Sequence, residues 1–272
     1  MMKHTTAIIL VFFSLLPVTL VAQSKHNTGI VDRIKGVFST SIKIGTYTFN
    51  DGAIYSGELK SGKPNGKGKT TFPTGDIYEG EYVKGKRQGS GTYIFTDGEK
   101  YEGEWFQDQQ HGHGIYYFQN NNRYDGMWYQ DYQQGNGTMY YYTGDVYVGE
   151  WDHDQREGHG TYTWRNGAKY DGQWHADKKE GQGAFTWNDG SSYTGGWKAD
   201  MREGTGTFVY TNGDQYVGEW HNDMQHGQGI YTFHTGDRYE GSYQNGERTG
   251  TGVYLYANGN KYVGEFQNGM QE

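Results

Sequence analysis

The chain has 272 residues, a formal net charge of -8 and no cysteine. Without cysteine it has neither a disulfide framework nor a lipid-modified cysteine at the start of a mature chain. The acidic balance argues against a nucleic-acid partner, because Lys and Arg side chains that neutralise phosphates supply most of that affinity.

The first 22 residues are similar to a secretory signal peptide. Lys3 is their only formal charge, residues 7–16 are almost wholly apolar, and Pro17 interrupts the run before the small residue Ala22. An uncleaved membrane anchor is the minor alternative, but a bilayer span needs about 20 apolar residues and this run is shorter. We therefore expect cleavage and export to the periplasm, the cell envelope or the extracellular space.

Charge is unevenly distributed along the chain. Cleavage removes Lys3, so the net charge goes from -8 to -9. Residues 23–77 contain eight Lys and Arg against four Asp and Glu, a net of +4, and residues 78–272 carry the remaining -13. This basic end is either ordinary solvated charge or a surface that lies near anionic lipid headgroups. The candidate lipid-facing residues are Lys60, Lys63, Lys67 and Lys69.

Residues 23–44 do not fit the pattern that follows them. Ile30, Ile34 and Val37 recur at helical spacing, which favours a linker or a short cap on the first hairpin, although Gly36 weakens the helix.

From Gly45 onward the chain repeats every 23 residues. Half a copy comes first, nine full copies span residues 55–261, and a partial tenth copy opens at Tyr262. A fixed period of this length is typical of a solenoid or array. We number the unit from its tyrosine, so Tyr147 is position 1 of its copy.

The first half of each unit predicts a strand with one aromatic face. Tyr at position 1, Gly at position 3 and an aromatic residue at position 5 point to the same side, because side chains alternate along a strand. The first copy departs, with Leu59 at position 5. If the rings are exposed, the candidate binding aromatics of this column are Trp105, Trp128, Trp151, Trp174, Trp197 and Trp220.

The second half predicts another strand and the turn that follows it. Positions 12 and 14 are Gly in all nine full copies, and aromatic and β-branched residues then alternate. Pairs such as Asn166-Gly167 at positions 20 and 21 predict a tight hairpin turn with positive φ. The expected fold is all-β: an elongated, twisted antiparallel sheet of about 20 strands, with aromatic rings packed over the glycines of neighbouring strands.

The unit, Tyr-x-Gly-Glu-Trp followed by Gly-x-Gly and a turn, resembles the MORN (membrane occupation and recognition nexus) repeat family. His111-Gly112-His113-Gly114 and His226-Gly227-Gln228-Gly229 look like the family's His-Gly-x-Gly step. The resemblance implies a hairpin array that serves as a binding or scaffolding module, sometimes appended to enzymes or placed at membranes. It implies no catalytic residue.

One departure from the family's unit is systematic. Family units usually have Gly at position 8, but six central copies have Asp. Aspartate tolerates left-handed backbone, which favours a structural role, whereas weak calcium binding by Asp154 with Glu157, or by Asp200 with Glu203, is the alternative. This acidic loop column comprises Asp108, Asp131, Asp154, Asp177, Asp200 and Asp223.

Other candidates for chemistry are weak. The histidines lack the close spacing of a zinc site. Residues 62–70, GKPNGKGKT, have five residues between Gly62 and Gly68, whereas the Walker phosphate-binding motif needs four. Regularly spaced glutamates at position 4 form a solvated stripe rather than a shielded acid-base pair. We expect no cofactor, no metal and no enzymatic activity.

The sequence predicts a non-enzymatic binding or scaffolding protein that is exported to the cell envelope and uses its extended β surface to bind a protein. Two alternatives are carbohydrate binding by exposed aromatic rings and association with anionic lipid through the basic end. The pattern does not identify the partner.

Overall fold

A computed structural model describes residues 41–272. The predicted signal peptide and the predicted cap up to residue 40 lie outside the described residues. Ile42–Glu272 is one compact unit in which every regular element is a strand. Among these residues, no helix is long and apolar enough to cross a membrane.

The strands form one antiparallel sheet in which each strand pairs with the next along the chain. This confirms the predicted fold class. The strands are β1 (Lys43–Thr48), β2 (Ile54–Lys60), β3 (Lys63–Thr71), β4 (Ile77–Val83), β5 (Lys86–Ile94), β6 (Lys100–Phe106), β7 (Gln109–Tyr117), β8 (Arg123–Tyr129), β9 (Tyr132–Tyr140), β10 (Val146–Asp152), β11 (Gln155–Thr163), β12 (Lys169–His175), β13 (Lys178–Thr186), β14 (Ser192–Lys198), β15 (Met201–Val209), β16 (Gln215–His221), β17 (Met224–Thr232), β18 (Arg238–Gln244), β19 (Glu247–Leu255), β20 (Lys261–Gln267) and β21 (Met270–Gln271).

Each full repeat contributes one hairpin, and β10 with β11 shows its register. Tyr147 lies opposite Tyr162 and Gly149 opposite Gly160, after which the register shifts and Glu150 lies opposite Glu157. Two residues of β11 are therefore extra, which makes a β-bulge. The first of them, Gly158, has φ +63°, so the bulge accounts for glycine at position 12.

The tyrosines at position 1 hold each hairpin together. All nine from Tyr55 to Tyr239 are fully buried, and the Tyr147 hydroxyl donates to the carbonyl of Glu150 at 3.0 Å. The ring covers the glycines at positions 3 and 14, and a Cβ on Gly160 would lie only 2.5 Å from Cζ of Tyr147. The predicted packing of rings over bare backbone is confirmed, and glycine is required at both positions.

The tryptophans at position 5 join one hairpin to the next. The ring of Trp151 meets Tyr147 of its own repeat at 5.2 Å and Tyr124 of the preceding repeat at 5.3 Å, both edge to face. Its indole N–H donates to the carbonyl of Gly137 in the preceding repeat at 3.4 Å. An alternating stack of tyrosine and tryptophan thus follows the sheet from repeat to repeat.

The turns at positions 20 and 21 have positive φ at one residue. At positions 20 and 21 only the second residue has positive φ, for example Gly167 at +91°, and the Ala168 N–H donates to Asn166 Oδ1 at 3.0 Å. The predicted tight turn with positive φ is therefore present, and the bonds between Trp164 and Ala168 and from the Gly167 N–H to the Trp164 carbonyl close it around three residues. Positive φ at two successive residues occurs instead at positions 7 and 8, as in His153 (47°) and Asp154 (65°).

The packing of tyrosine on glycine leads to a stability prediction. Replacing Gly160→Ala forces a methyl group into the ring of Tyr147, and overpacking of this kind typically costs about 1–3 kcal/mol. The matched control is Gly167→Asn, because Asn121 already takes positive φ at the same repeat position. We expect urea unfolding to show a clearly lower midpoint for Gly160→Ala than for the control. Equal midpoints would contradict the packing.

Candidate functional site

The aspartates at position 8 join neighbouring repeats. The N–H of Asp177 donates to the carbonyl of Arg156 at 3.1 Å, and the N–H of Arg156 donates back to Asp177 Oδ1 at 3.0 Å. The same reciprocal pair of bonds recurs at Asp108, Asp131, Asp154, Asp200 and Asp223. Each carboxylate therefore bonds to the backbone of the adjacent hairpin and so has a structural role.

The glutamates considered for calcium are also engaged between repeats. Glu157 Oε1 lies 2.9 Å from Nδ1 of His175, and its Oε2 accepts the Ala176 N–H at 3.0 Å. Glu203 makes the same contacts with His221 and Asn222. Within residues 41–272, no group of three or more His, Asp or Glu side chains is placed to hold a metal ion.

Position 10 carries a contact that sequence reasoning missed. The guanidinium of Arg156 lies 4.3 Å from the ring centroid of Trp174 in the next repeat. Its Nε donates to Asp177 Oδ1 at 2.9 Å and its Nη2 to the Asp177 carbonyl at 2.8 Å. We call such a Trp at position 5 with the Asp at position 8 of the same repeat a Trp–Asp socket.

Three further sockets hold a cation from the preceding repeat. The charged groups of Arg87, Lys179 and Arg202 lie 4.2–4.4 Å above Trp105, Trp197 and Trp220. Burial lowers the pKa of Lys179, while the charge of Asp200 acts in the opposite direction. The sockets thus accept both guanidinium and ammonium groups.

Two adjacent sockets hold no cation from residues 41–272. Gln110 and Gln133 occupy position 10 before the sockets Trp128 with Asp131 and Trp151 with Asp154, and they are only 7% and 5% exposed. Their backbone N–H groups keep the bond to the aspartate, at 2.7 Å in both cases. The scaffold is therefore intact where the cation is missing.

An open groove of about 650 Å³ lies over these two sockets. Met139 takes position 16, where aromatic residues stand in most copies, and Phe118 and Tyr141 at position 18 line the groove. The remaining lining residues are Phe95, Gln110, Tyr116, Trp128, Asp131, Gln133, Trp151, Asp154 and Asp177. The groove is therefore aromatic and acidic, and it is the candidate functional site.

The predicted tryptophan column is buried. All six indoles from Trp105 to Trp220 are 4–5% exposed and pack edge to face against tyrosines. Stacking on a sugar needs an exposed ring face, so the carbohydrate alternative gains no support from this column. The groove reaches only Trp128 and Trp151 of this set.

The four candidate lipid-facing lysines, Lys60, Lys63, Lys67 and Lys69, are exposed. Lys67 lies opposite Glu81 and Lys69 opposite Glu79 in the pairing of β3 with β4. Cross-strand pairs of opposite charge attract each other, which lowers the positive potential that the lysines present.

A second feature missed from the sequence is exposed aromatic surface on the face opposite the tyrosines. Phe106 and Tyr129 are about half exposed (47% and 52%) and flank the ring of His111 at 5.5 and 5.3 Å. Both lie at position 6 of successive repeats. Because side chains alternate along a strand, position 6 faces away from the tyrosine at position 1, so the sequence could have revealed these exposed rings. They belong to the same part of the array as the groove.

Carboxylates at position 22 make a further set of links between repeats. Asp214 accepts hydrogen bonds from the Tyr231 hydroxyl and from the backbone N–H of His234, both at 2.8 Å. Burial acts to raise the pKa of Asp214, but these hydrogen bonds outweigh it and hold the pKa well below its usual range. Asp76 and Asp145 have lowered pKa values for the same reasons.

Fold and site together define a tandem β-hairpin repeat protein with an aromatic groove on one face. The sequence model of the MORN repeat matches residues 55–77, 78–100, 101–123, 124–146, 147–169, 170–192, 193–215, 216–238, 239–261 and 262–272. The chain belongs to the MORN repeat family.

Solved structures share a distant likeness with this chain. The TCP10 domain of Danio rerio CPAP in complex with a peptide of Danio rerio STIL is 11% identical over 82% of this chain and 100% of that chain, with a TM-score of 0.43. The SAS-4 (dCPAP) TCP domain of Drosophila melanogaster, in complex with a proline-rich motif of Ana2 (dSTIL), is 13% identical over 57% and 85%, with a TM-score of 0.37.

Virginiamycin B lyase from Staphylococcus aureus is 9% identical over 84% of this chain and 85% of that chain, with a TM-score of 0.16. No curated protein sequence matches this chain.

The depressed pKa of Asp214 sets a pH dependence. A group whose pKa is lower in the folded state stabilises the fold above its unfolded pKa, about 3.9 for Asp, and that contribution is lost as pH falls below this value. We expect Asp214→Asn to lower the melting temperature at pH 6 and the difference from wild type to shrink by pH 2.5. A difference that stays constant with pH would contradict the assignment.

Proposed function

We propose that this protein is a non-enzymatic binding and scaffolding protein of the cell envelope that holds a segment of a protein partner in the groove over β7 to β10. The observation that carries the proposal is the groove itself, which is open, aromatic and acidic in an array whose other sockets are filled. The membership of the MORN repeat family agrees with a binding module.

The groove has the composition of a protein-binding surface. Aromatic anchors in a pocket with a polar surround contribute most of the affinity in protein interfaces. Phe118 and Tyr141, which are partly exposed, supply the anchors, Trp128 and Trp151 line the groove at 5% exposure, and Asp131 and Asp154 supply polar groups at the rim. An open groove lined by residues from five successive repeats suits an extended chain better than a compact small molecule.

A purely binding role is supported by the placement of the charged groups. The aspartates at position 8 and the glutamates Glu157 and Glu203 bond to backbone of neighbouring repeats. Uniform links of this kind do not assemble an acid, a base and a nucleophile around one reacting atom.

Export is part of the proposal and rests on the first 22 residues of the sequence. When the full chain is expressed in a secreting host, we expect the mature protein to begin at Gln23, since cleavage follows the small residue Ala22. Intact-mass measurement checks this. A chain that keeps residues 1–22 in the membrane fraction would contradict cleavage.

The binding role predicts a local effect of groove mutations. Truncation of an aromatic anchor typically weakens binding by about 2 kcal/mol or more, which is about 30-fold. We expect Tyr141→Ala, in the groove, to lose most partner protein crosslinked from envelope extracts by mature protein. The matched control is Tyr210→Ala, which removes the same side chain from the same repeat position outside the groove.

Both variants must retain the β-sheet circular dichroism spectrum. If Tyr141→Ala and Tyr210→Ala capture the same proteins in the same amounts as wild type, the groove is not the binding surface.

A further inference from the structure

We propose that the sockets Trp128 with Asp131 and Trp151 with Asp154 bind two cationic side chains, preferably arginines, of one extended partner segment. This inference rests on the proposed function, because it specifies the partner that the groove accepts. The chain itself provides the template for the ligand in the neighbouring repeats.

Arg156 shows what a socket recognises. Its guanidinium stacks over Trp174 at 4.3 Å, donates from Nε to the Asp177 carboxylate at 2.9 Å, and donates from Nη2 to the Asp177 carbonyl at 2.8 Å. Arg202 repeats all three contacts on Trp220 and Asp223, at 4.2, 3.0 and 2.7 Å. The contacts combine a cation–π interaction with charge-assisted hydrogen bonds, which are favourable where water is largely excluded.

The two central sockets keep the recognising groups without the cation. Gln110 and Gln133 occupy the repeat position of these arginines, and Trp128 and Trp151 are 5% exposed, so an incoming guanidinium displaces the two amides from over the indoles. Both glutamines are more than nine-tenths buried, and neither side-chain amide has a hydrogen-bond partner within residues 41–272. Within residues 41–272, every fully buried side-chain nitrogen or oxygen has a hydrogen-bond partner. The amides of Gln110 and Gln133 are therefore accessible to solvent, and both residues line the groove.

Charge completes the case for a cationic ligand. The carboxylates of Asp108, Asp177 and Asp223 each form an ion pair with the arginine of the preceding repeat. Gln110 and Gln133 stand opposite Asp131 and Asp154 instead, so within residues 41–272 neither carboxylate has an ion-pair partner. A partner that supplies two positive charges restores the pattern of the other repeats.

The spacing of the sockets indicates the shape of the segment. Successive repeats are separated by two strands, so the two sockets lie about 10 Å apart at about 4.8 Å per strand. In a polyproline II helix, residues three apart project to the same side and are separated by about 9.3 Å. The fitting ligand is therefore an extended Arg-x-x-Arg segment that runs across the strands.

The test uses a fluorescent 12-residue peptide, with two arginines three apart in a proline-rich context, titrated into mature protein and followed by anisotropy. The matched peptide replaces both arginines with citrulline, which keeps the shape and removes the charge. We expect the citrulline peptide to bind at least tenfold more weakly, and the arginine peptide to weaken as salt increases.

Filling the sockets from within the chain is the decisive variant. Gln110→Arg with Gln133→Arg recreates the arrangement of Arg87 and Arg156, so the protein should fold as well as wild type. We expect at least tenfold weaker binding of the arginine peptide. The control is Gln225→Arg, which adds the same side chain next to Tyr243 and Gly246, where neither the Trp nor the Asp of a socket is present.

A converse variant guards against a trivial loss of fold. Arg156→Gln removes the cation from the socket of Trp174 and Asp177, which is next in line after the first two. A peptide with a third arginine three residues further on should therefore bind this variant more tightly than the two-arginine peptide does, and should show no such gain with wild type. Equal binding of the arginine and citrulline peptides, or unchanged binding to the double variant, would overturn the inference. If crosslinking to envelope proteins then still depends on Tyr141, the proposed function stands and only the cationic ligand is wrong.

Discussion

The structure depends on the contact between a tyrosine ring and two glycines in every hairpin. Tyr147 lies flat on the backbone at Gly149 and Gly160 and anchors its hydroxyl on the carbonyl of Glu150. Aromatic rings replace the aliphatic side chains of an ordinary core. Hydrophobic residues therefore make up only 33% of the sequence, and about half of these are aromatic, at 17% of the sequence. The glycines are required for this contact, which explains their recurrence at fixed positions.

Contacts between repeats reach only the next hairpin. The indole of Trp174, the carboxylate of Asp177 and the side chain of Asp214 each bond to an adjacent repeat. Stability in such arrays is a sum of repeat and nearest-neighbour contributions. A change at position 10 therefore alters one socket and leaves the rest of the sheet in place, as Gln110 and Gln133 demonstrate. Local variation of this kind is how a uniform scaffold acquires a particular site.

The strands, their aromatic face and the packing of Tyr147 on glycine follow from period-two alternation, so the sequence was sufficient to predict them. The turns at positions 20 and 21 were predictable in place but not in detail. Asn-Gly is compatible with positive φ at one residue or at two, and only the register of the flanking strands decides between them. The sockets do not follow from the pattern of one unit, because Arg156 contacts Trp174 across the boundary between two repeats.

The central claim is that the scaffold is uniform and that binding resides where Gln110 and Gln133 interrupt the pattern. Fluorine NMR of mature protein labelled with 5-fluorotryptophan tests it directly, because the eight tryptophans report separately along the array. On addition of the Arg-x-x-Arg peptide we expect shifts for Trp128 and Trp151, while Trp174 and Trp220, already covered by Arg156 and Arg202, stay unchanged. Equal shifts along the whole column, or none at Trp128 and Trp151, would contradict it.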